Sequence, residues 1–321
     1  VDDDSNVIFC IDISGSMGNT SRVEGHFELK GKPAKRNKEN FTWVSRLEFV
    51  QAAVDTQLEL MPKTAPHKKV GLVTFNNTVT IYGDGTIKPV HIEGETLSNY
   101  DSLLEVASGC TLTKTISETQ ANLRKTVVNL SETGTTALGP ALVASVSMAS
   151  TKPGSKVIIC TDGLANVGVG NLENQDFDFY ERIAQYAAKK GVVISVISIK
   201  GSDTKLEYLG KLADISSGKV DLVDSETLNF TDFLTSSFIA TNCSIKLFTH
   251  SLFQFRNENT IPEKLFIAQR QIGNVTSDSD LAFEFHLRQK DFKDKIAPNQ
   301  KIPFQVQINY TKLNGDECKK V

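Results

Sequence analysis

The spacing of apolar residues changes character along this 321-residue chain. Up to about residue 240, continuous apolar runs alternate with stretches in which apolar residues recur every three or four positions. "NVIFCI" (6–11), "KVIIC" (156–160) and "VVISVISI" (192–199) are unbroken and rich in valine and isoleucine. A strand with one wet face would alternate, so these runs predict strands covered on both faces, as parallel strands usually are. "VGLVTF" (70–75) and "TVTIYG" (78–83) form a strand pair joined at Asn76-Asn77, a tight-turn signal. Between the strands lie helical spacings: Leu47, Val50, Val54, Leu58 and Met61; then Phe179, Ile183 and Ala187; then Leu206, Leu209 and Leu212. Strand and helix in alternation predict a doubly wound, mostly parallel α/β sheet with right-handed crossovers.

After about residue 240 the period falls to two. Leu281, Phe283, Phe285 and Leu287 alternate with polar neighbours, as do Ile302, Phe304, Val306, Ile308 and Tyr310. "SIKLF" (244–248) and "KLFIA" (264–268) add short strands, and the set predicts a small antiparallel β-sandwich. The expected organisation is an α/β domain over 1–240 and a sandwich over 241–321, cut short at Val321. Residues 19–42 interrupt the first domain with little periodicity. They carry Arg22, Lys30, Lys32, Lys35, Arg36 and Lys38, and read as a solvated loop or as a basic rim that steers an acidic partner. Trp43 is expected to open the first long helix in a packing role.

Composition narrows the class. Apolar residues at 40% and charged residues at 23% suit a globular domain. A net charge of -3 argues against a nucleic-acid surface. No apolar run reaches the roughly 18 residues of a membrane span. The five cysteines (Cys10, Cys110, Cys160, Cys243 and Cys318) are odd in number and lack metal-ligand spacing. Cys10 and Cys160 read as buried thiols, which favours a reducing, cytoplasmic location. Sequons at Asn40, Asn76, Asn242 and Asn309 leave an extracellular location open, although several fall inside predicted strands.

The chemistry gathers where the strands end. In a doubly wound sheet, ligands bind beyond the carboxyl ends of the strands. "DISGSMG" puts Asp12, Ser14 and Ser16 just past the first strand, and "TDG" puts Asp162 past a second. "SETGTTALGPAL" (131–142), a Gly- and Thr-rich loop opening a helix, brings Thr136 to the same edge. Two carboxylates and three hydroxyls with no imidazole or thiol suit a hard cation: Mg²⁺, or alternatively Mn²⁺ or Ca²⁺. Two carboxylates about 4 Å apart repel by roughly 4 kcal/mol at an effective dielectric of 20, and a divalent ion reverses that sign.

Asp-x-Ser-x-Ser, followed by a Thr in a Gly-Thr-Thr loop and an Asp in a Thr-Asp-Gly turn, resembles the metal-ion-dependent adhesion site of the von Willebrand factor A family. The resemblance covers residues 1 to about 240. It implies a metal held by Asp12, Ser14, Ser16, Thr136 and Asp162, with an open position for an Asp or Glu of a protein partner. Thr135 stands where the family usually has a second Gly, so a one-residue shift from Thr136 to Thr135 stays open. The tail is similar to the trunk of the inner-shell subunits of the endoplasmic-reticulum vesicle coat, and to A-domain proteins that join such trunks to ubiquitin-ligase modules. Those coat subunits generally lack an intact metal site, so a coat subunit proper is not expected. The implied alternative to metal-dependent binding is a structural scaffold whose metal is only structural.

An enzyme is not expected. Around Ser16 the first Gly of a nucleophile elbow is missing, no His stands near the site motifs, and there is no P-loop. The Asp-Gly pair in "YGDGT" (82–86) reads as a turn and His67 as an exposed loop residue. Residues 225–238 are expected to form the helix that leads into the sandwich.

Overall fold

The computed structural model describes residues 4–32, 41–163, 165–172, 178–199, 206–223, 238–256, 258, 260–261, 264–276, 279–288 and 301–321. The chain divides into two compact units, Val1–Ser236 and Ser237–Val321.

The first unit begins with β1 (Asn6–Asp12), an antiparallel hairpin of β2 (Thr20–Glu24) and β3 (Phe41–Ser45), and the long helix α1 (Arg46–Thr64). Then come β4 (Lys69–Phe75), β5 (Val79–Gly83), β6 (Val90–Ile92) and helices α2 (Tyr100–Ser108), α3 (Ile116–Val128) and α4 (Leu138–Ala149). The unit continues through β7 (Lys156–Thr161), α5 (Asp178–Lys189), β8 (Val193–Ile199), α6 (Leu206–Ser216) and β9 (Val220–Val223). Among the described residues the main sheet has seven strands in the order β6-β5-β4-β1-β7-β8-β9. β1 pairs in parallel with β4 and β7, the parallel set continues to β9, and β5 is antiparallel to both β4 and β6, so β5 alone runs the other way.

The unbroken apolar run of β1 has the expected cause. Ile8 and Cys10 enter one core with α4 and α5, while Val7, Phe9 and Ile11 enter the opposite core with α1. Both faces are dry, so alternation disappears. α4 is buried at every residue from Leu138 to Ala149, which is why "LGPALVASVSMA" carries no charge. β1 lies at the point of reversal: its neighbours are β4, reached through α1, and β7, reached through α4. That arrangement opens a crevice at the carboxyl end of β1.

Two expectations are corrected here. Residues 19–42 are not simply a loop, because Thr20–Glu24 pairs with Phe41–Ser45 in register from Thr20↔Ser45 to Glu24↔Phe41. Lys35, Arg36 and Lys38 lie outside the described residues. Trp43 belongs to β3, not to α1. A strand alternates its faces, and Thr42 and Val44 point inward, so Trp43 turns outward and is 51% exposed. The helix begins three residues later because Ser45 and Glu48 form a capping box there.

Among the described residues the second unit has strands and no helix. β10 (Phe238–Phe248), β13 (Lys264–Thr276) and β15 (Gln305–Thr311) are the body of a five-stranded antiparallel sheet, with β12 (Thr260–Ile261) and β16 (Glu317–Lys320) at its edges. β11 (Phe253–Phe255) and β14 (Phe285–Leu287) form a separate pair. The alternation from Leu281 to Leu287 yields a ladder only from Phe285, since β11 offers just three residues to pair with. Of the helix expected over 225–238, Phe238 opens β10 and the rest lies outside the described residues.

The cysteines are free thiols, with Cys10, Cys110, Cys160 and Cys243 buried and Cys318 partly exposed. Burial pushes the Cys10 thiol up to about 12 and raises that of Cys160 well above its ordinary value. In native protein, Cys318 is expected to react with a thiol reagent at neutral pH while Cys10 and Cys160 react only on unfolding. Mass-resolved labelling with and without denaturant checks this, and rapid native labelling of Cys10 would contradict the packing described.

Candidate metal centre

The site starts where the main-chain ladder runs out. β1 ends at Asp12 and β7 at Thr161, so Asp12 and Asp162 stand at adjacent strand ends. Both are fully buried. Each oxygen of the two carboxylates is engaged. Asp12 Oδ1 accepts the Ser14 amide at 2.8 Å, and its Oδ2 accepts the Thr161 hydroxyl at 2.6 Å. Asp162 Oδ1 accepts the Ser16 hydroxyl at 2.7 Å, and its Oδ2 is ion-paired with Arg46 Nη1. The Ser14 and Ser16 hydroxyls lie 3.1 Å apart.

Ser14 precedes a tight 3-10 turn, Gly15–Gly18, that folds Ser16 back toward the sheet and buries Met17 beneath it. The loop that carries Thr136 is tied down on three sides. Gln51 Nε2, on α1, donates to the carbonyls of Val127, Val128 and Leu130, which closes the end of α3. Thr133 N donates to Ile13 O at 2.8 Å, and Gly15 N donates to Gly134 O at 2.9 Å, so this loop and the Asp-x-Ser-x-Ser loop brace each other. Ala137 N donates to Asn76 O at 2.7 Å, from the tip of the β4–β5 hairpin.

Thr136 is buried and Thr135 is exposed. A methyl group built on Gly163 would lie 3.5 Å from Thr136 Oγ1 and 3.7 Å from Ser16 Oγ, so both hydroxyls converge above the Asp162-Gly163 turn. Asn166 clamps Thr136 reciprocally: its Oδ1 accepts the Thr136 amide at 2.9 Å, and its own amide donates to Thr136 O at 3.0 Å. The structure thus brings Asp12, Ser14, Ser16 and Asp162 into one hydrogen-bonded group and sets Thr136 at its edge.

Burial pushes the Asp12 carboxyl up to about 6, against its hydrogen bonds with Ser14 and Thr161, and the nearby Asp162 adds to the rise. Two buried carboxylates that raise each other's cost of ionisation call for positive charge. Among the described residues no three His, Cys, Asp or Glu side chains cluster into a metal-holding group. Any cation held here would therefore rest on two carboxylates and three hydroxyls, a donor set that fits a hard ion.

Sequence reasoning missed Arg46. The signal was present in "SRLE": Ser45 and Glu48 mark a helix start, and the residue between them at the first helical position is a cation. A positive charge there opposes the helix dipole by about 0.3–1 kcal/mol, so something outside the helix must account for it. His67 is exposed, as expected. The turn aspartate Asp84 is buried and does more than close its turn: Oδ1 accepts from the Thr86 hydroxyl at 2.6 Å, and Oδ2 accepts the Thr113 and Lys114 amides at 3.1 and 3.2 Å, which ties the turn to the segment before α3.

Residues 43–240 match the profile of the Sec23/Sec24 trunk domain. The chain is 32% identical over 332 residues to Circularly permutated Ras protein 1 of Dictyostelium discoideum, across 99% of this chain and 39% of that protein. It therefore spans about two-fifths of the length of this curated relative. Among solved structures, the human COPII-coat protein Sec24c matches with a TM-score of 0.62 at 13% identity, over 98% of this chain and 42% of that one. A von Willebrand factor type A protein from Catenulispora acidiphila matches with a TM-score of 0.56 at 14% identity, over 98% and 65%. At such identities these two structures speak for the fold alone.

Gly134 takes φ +78°, and a Cβ on it would meet Asn77 Oδ1 at 2.4 Å. Gly134→Ala is expected to destabilise the protein by about 1–2 kcal/mol in urea unfolding, with part of the loss recovered by adding Asn77→Ala. An unchanged midpoint would mean that the loop holding Thr136 is not fixed as described.

Proposed function

The chain belongs to the Sec23/Sec24 trunk domain family, and from that premise we propose that it is a protein-interaction module with a divalent-cation site at the carboxyl ends of β1 and β7. The observation that carries this reading is the convergence of Asp12, Ser14, Ser16 and Asp162, with Thr136 beside them, around two fully buried carboxylates. When bound, Mg²⁺ (or Mn²⁺ or Ca²⁺) supplies a positive centre that an exposed Asp or Glu of a protein partner can complete. Within the chain, Ser14, Ser16 and Thr136 present hydroxyl oxygens, while Asp12 and Asp162 supply the negative charge that favours a cation. Asp12 also holds the loop in shape, because it accepts the Ser14 amide and the Thr161 hydroxyl together. Thr161 and Asn166 act behind these residues, orienting Asp12 and Thr136 respectively.

The site resembles a binding site and not a catalytic one. Among the described residues the hydrogen bonds of Asp12 and Asp162 come from Ser, Thr and Arg, and family members with this trunk serve as scaffold or interaction domains. The curated relative is named a Ras protein, but this chain carries no Gly-x-x-x-x-Gly-Lys-Ser/Thr run, so no nucleotide role is proposed for it. Among the described residues no helix is long and apolar enough to cross a membrane.

A second reading has its own observation behind it. Arg46 already neutralises Asp162, as in a trunk that serves only as a rigid scaffold. Titration calorimetry with Mg²⁺ and Mn²⁺ on chelator-stripped protein separates the two. One-site binding is expected in the wild type, weakened about 10- to 100-fold in Asp12→Asn, which keeps the shape and removes the charge. An acidic peptide is expected to bind only in the presence of metal. Absence of metal binding by a well-folded wild type, or partner binding that survives chelator, would leave the scaffold reading in its place.

A further inference from the structure

Asp162 is gripped by two residues that belong to the two feet of one hairpin. Its Oδ1 accepts from Ser16, in the turn that leads through Asn19 into β2. Its Oδ2 pairs with Arg46, the residue that follows β3. The feet are joined to each other as well, since Arg46 N donates to Asn19 O at 3.0 Å. Arg46 is itself buried, and its guanidinium reaches a carboxylate with no solvent exposure. A charge-assisted pair in such a place is short and strong, and a cation at the first position of a 19-residue helix has no favourable helix-dipole reason to be there.

We propose that Arg46 is a tethered counter-ion which occupies Asp162 in place of a divalent cation and competes with it. This inference rests on the cation-site reading above. Asp12 and Asp162 need positive charge whether or not metal is present, and Arg46 provides it without leaving the chain. One oxygen cannot serve the guanidinium fully and a metal shell at the same time, so cation entry requires Arg46 to loosen from Asp162 Oδ2. Metal affinity is therefore set partly by this ion pair and not by the five oxygen-bearing residues alone. Because Arg46 and Ser16 stand at opposite feet of the β2–β3 hairpin, the exchange of one cation for the other acts at the root of that hairpin.

The test is calorimetric titration of Mn²⁺ into chelator-stripped wild type, Arg46→Gln and Arg46→Lys, with thermal midpoints recorded in chelator and in saturating Mn²⁺. Arg46→Gln is expected to bind Mn²⁺ about ten- to a hundredfold more tightly than the wild type, which is the strength of one charge-assisted hydrogen bond expressed as an equilibrium ratio. It is also expected to melt lower than the wild type in chelator and to gain more from Mn²⁺. Arg46→Lys keeps the charge but lacks the planar fork, so a smaller gain in the same direction is expected, and this variant carries the test if Arg46→Gln does not fold. Equal or weaker binding by the folded variants would overturn the proposal while leaving the metal site standing, and would make Arg46 a residue that positions Asp162. Failure of wild type and folded variants alike to bind any Mn²⁺ would overturn the cation-site reading itself.

Discussion

Two carboxylates placed side by side in a dry crevice are the constraint around which the rest of the edge is arranged. Asp12 and Asp162 come from neighbouring parallel strands, and both are cut off from solvent. Left alone they would repel and would each carry a large desolvation cost. The chain answers with donors from every direction: the Ser14 amide, the Thr161 and Ser16 hydroxyls, and the Arg46 guanidinium. Only the last brings positive charge. The structure of this edge is thus a set of partial compensations, and the proposed cation site rests on their being partial.

Positioning of that kind needs a stiff frame, and the frame is built from apolar surface. β1 is buried on both faces, so its end cannot drift, and α4 is packed on all sides immediately after Thr136. The connecting loops are held both by side chains, as by Asn166 at Thr136, and by main-chain bonds across long sequence distances, as between Ile13 and Thr133 or Asn76 and Ala137. Such bonds leave little freedom for the hydroxyls they carry. Placing the adaptable chemistry on loops held by a rigid sheet is the usual division of labour in open α/β folds.

How much of this could be read from residues alone varies from place to place. The central strands were plain because two dry faces leave an unbroken apolar signature, and Asp12 and Asp162 stood out as the first carboxylates past such runs. Thr136 was recognisable as one of two candidates, but only its burial beside an exposed Thr135 distinguishes them. The β2–β3 hairpin is hard to read from sequence because its five-residue strands mix polar and apolar side chains on both faces and are joined through a long charged segment. Arg46 escaped for a different reason. Its role depends on a partner 116 positions away, and local pattern carries only the hint of a charge on the wrong end of a helix. In the second unit, strand lengths are set by what each partner strand offers, which no single run of alternation encodes.

The chain has one tryptophan, and the alternation of β3 turns it outward midway along the hairpin, opposite Arg22. Its indole is half in water, with the ring of Phe41 set edge-on at 6.1 Å and Arg46 three residues along the chain. Every other aromatic group is a phenylalanine or a tyrosine. Emission excited at the red edge of the protein band therefore comes from a single chromophore on the β2–β3 hairpin, and none of it from the core. The molecule carries its own optical label, which speaks for one corner of the fold and is silent about the rest.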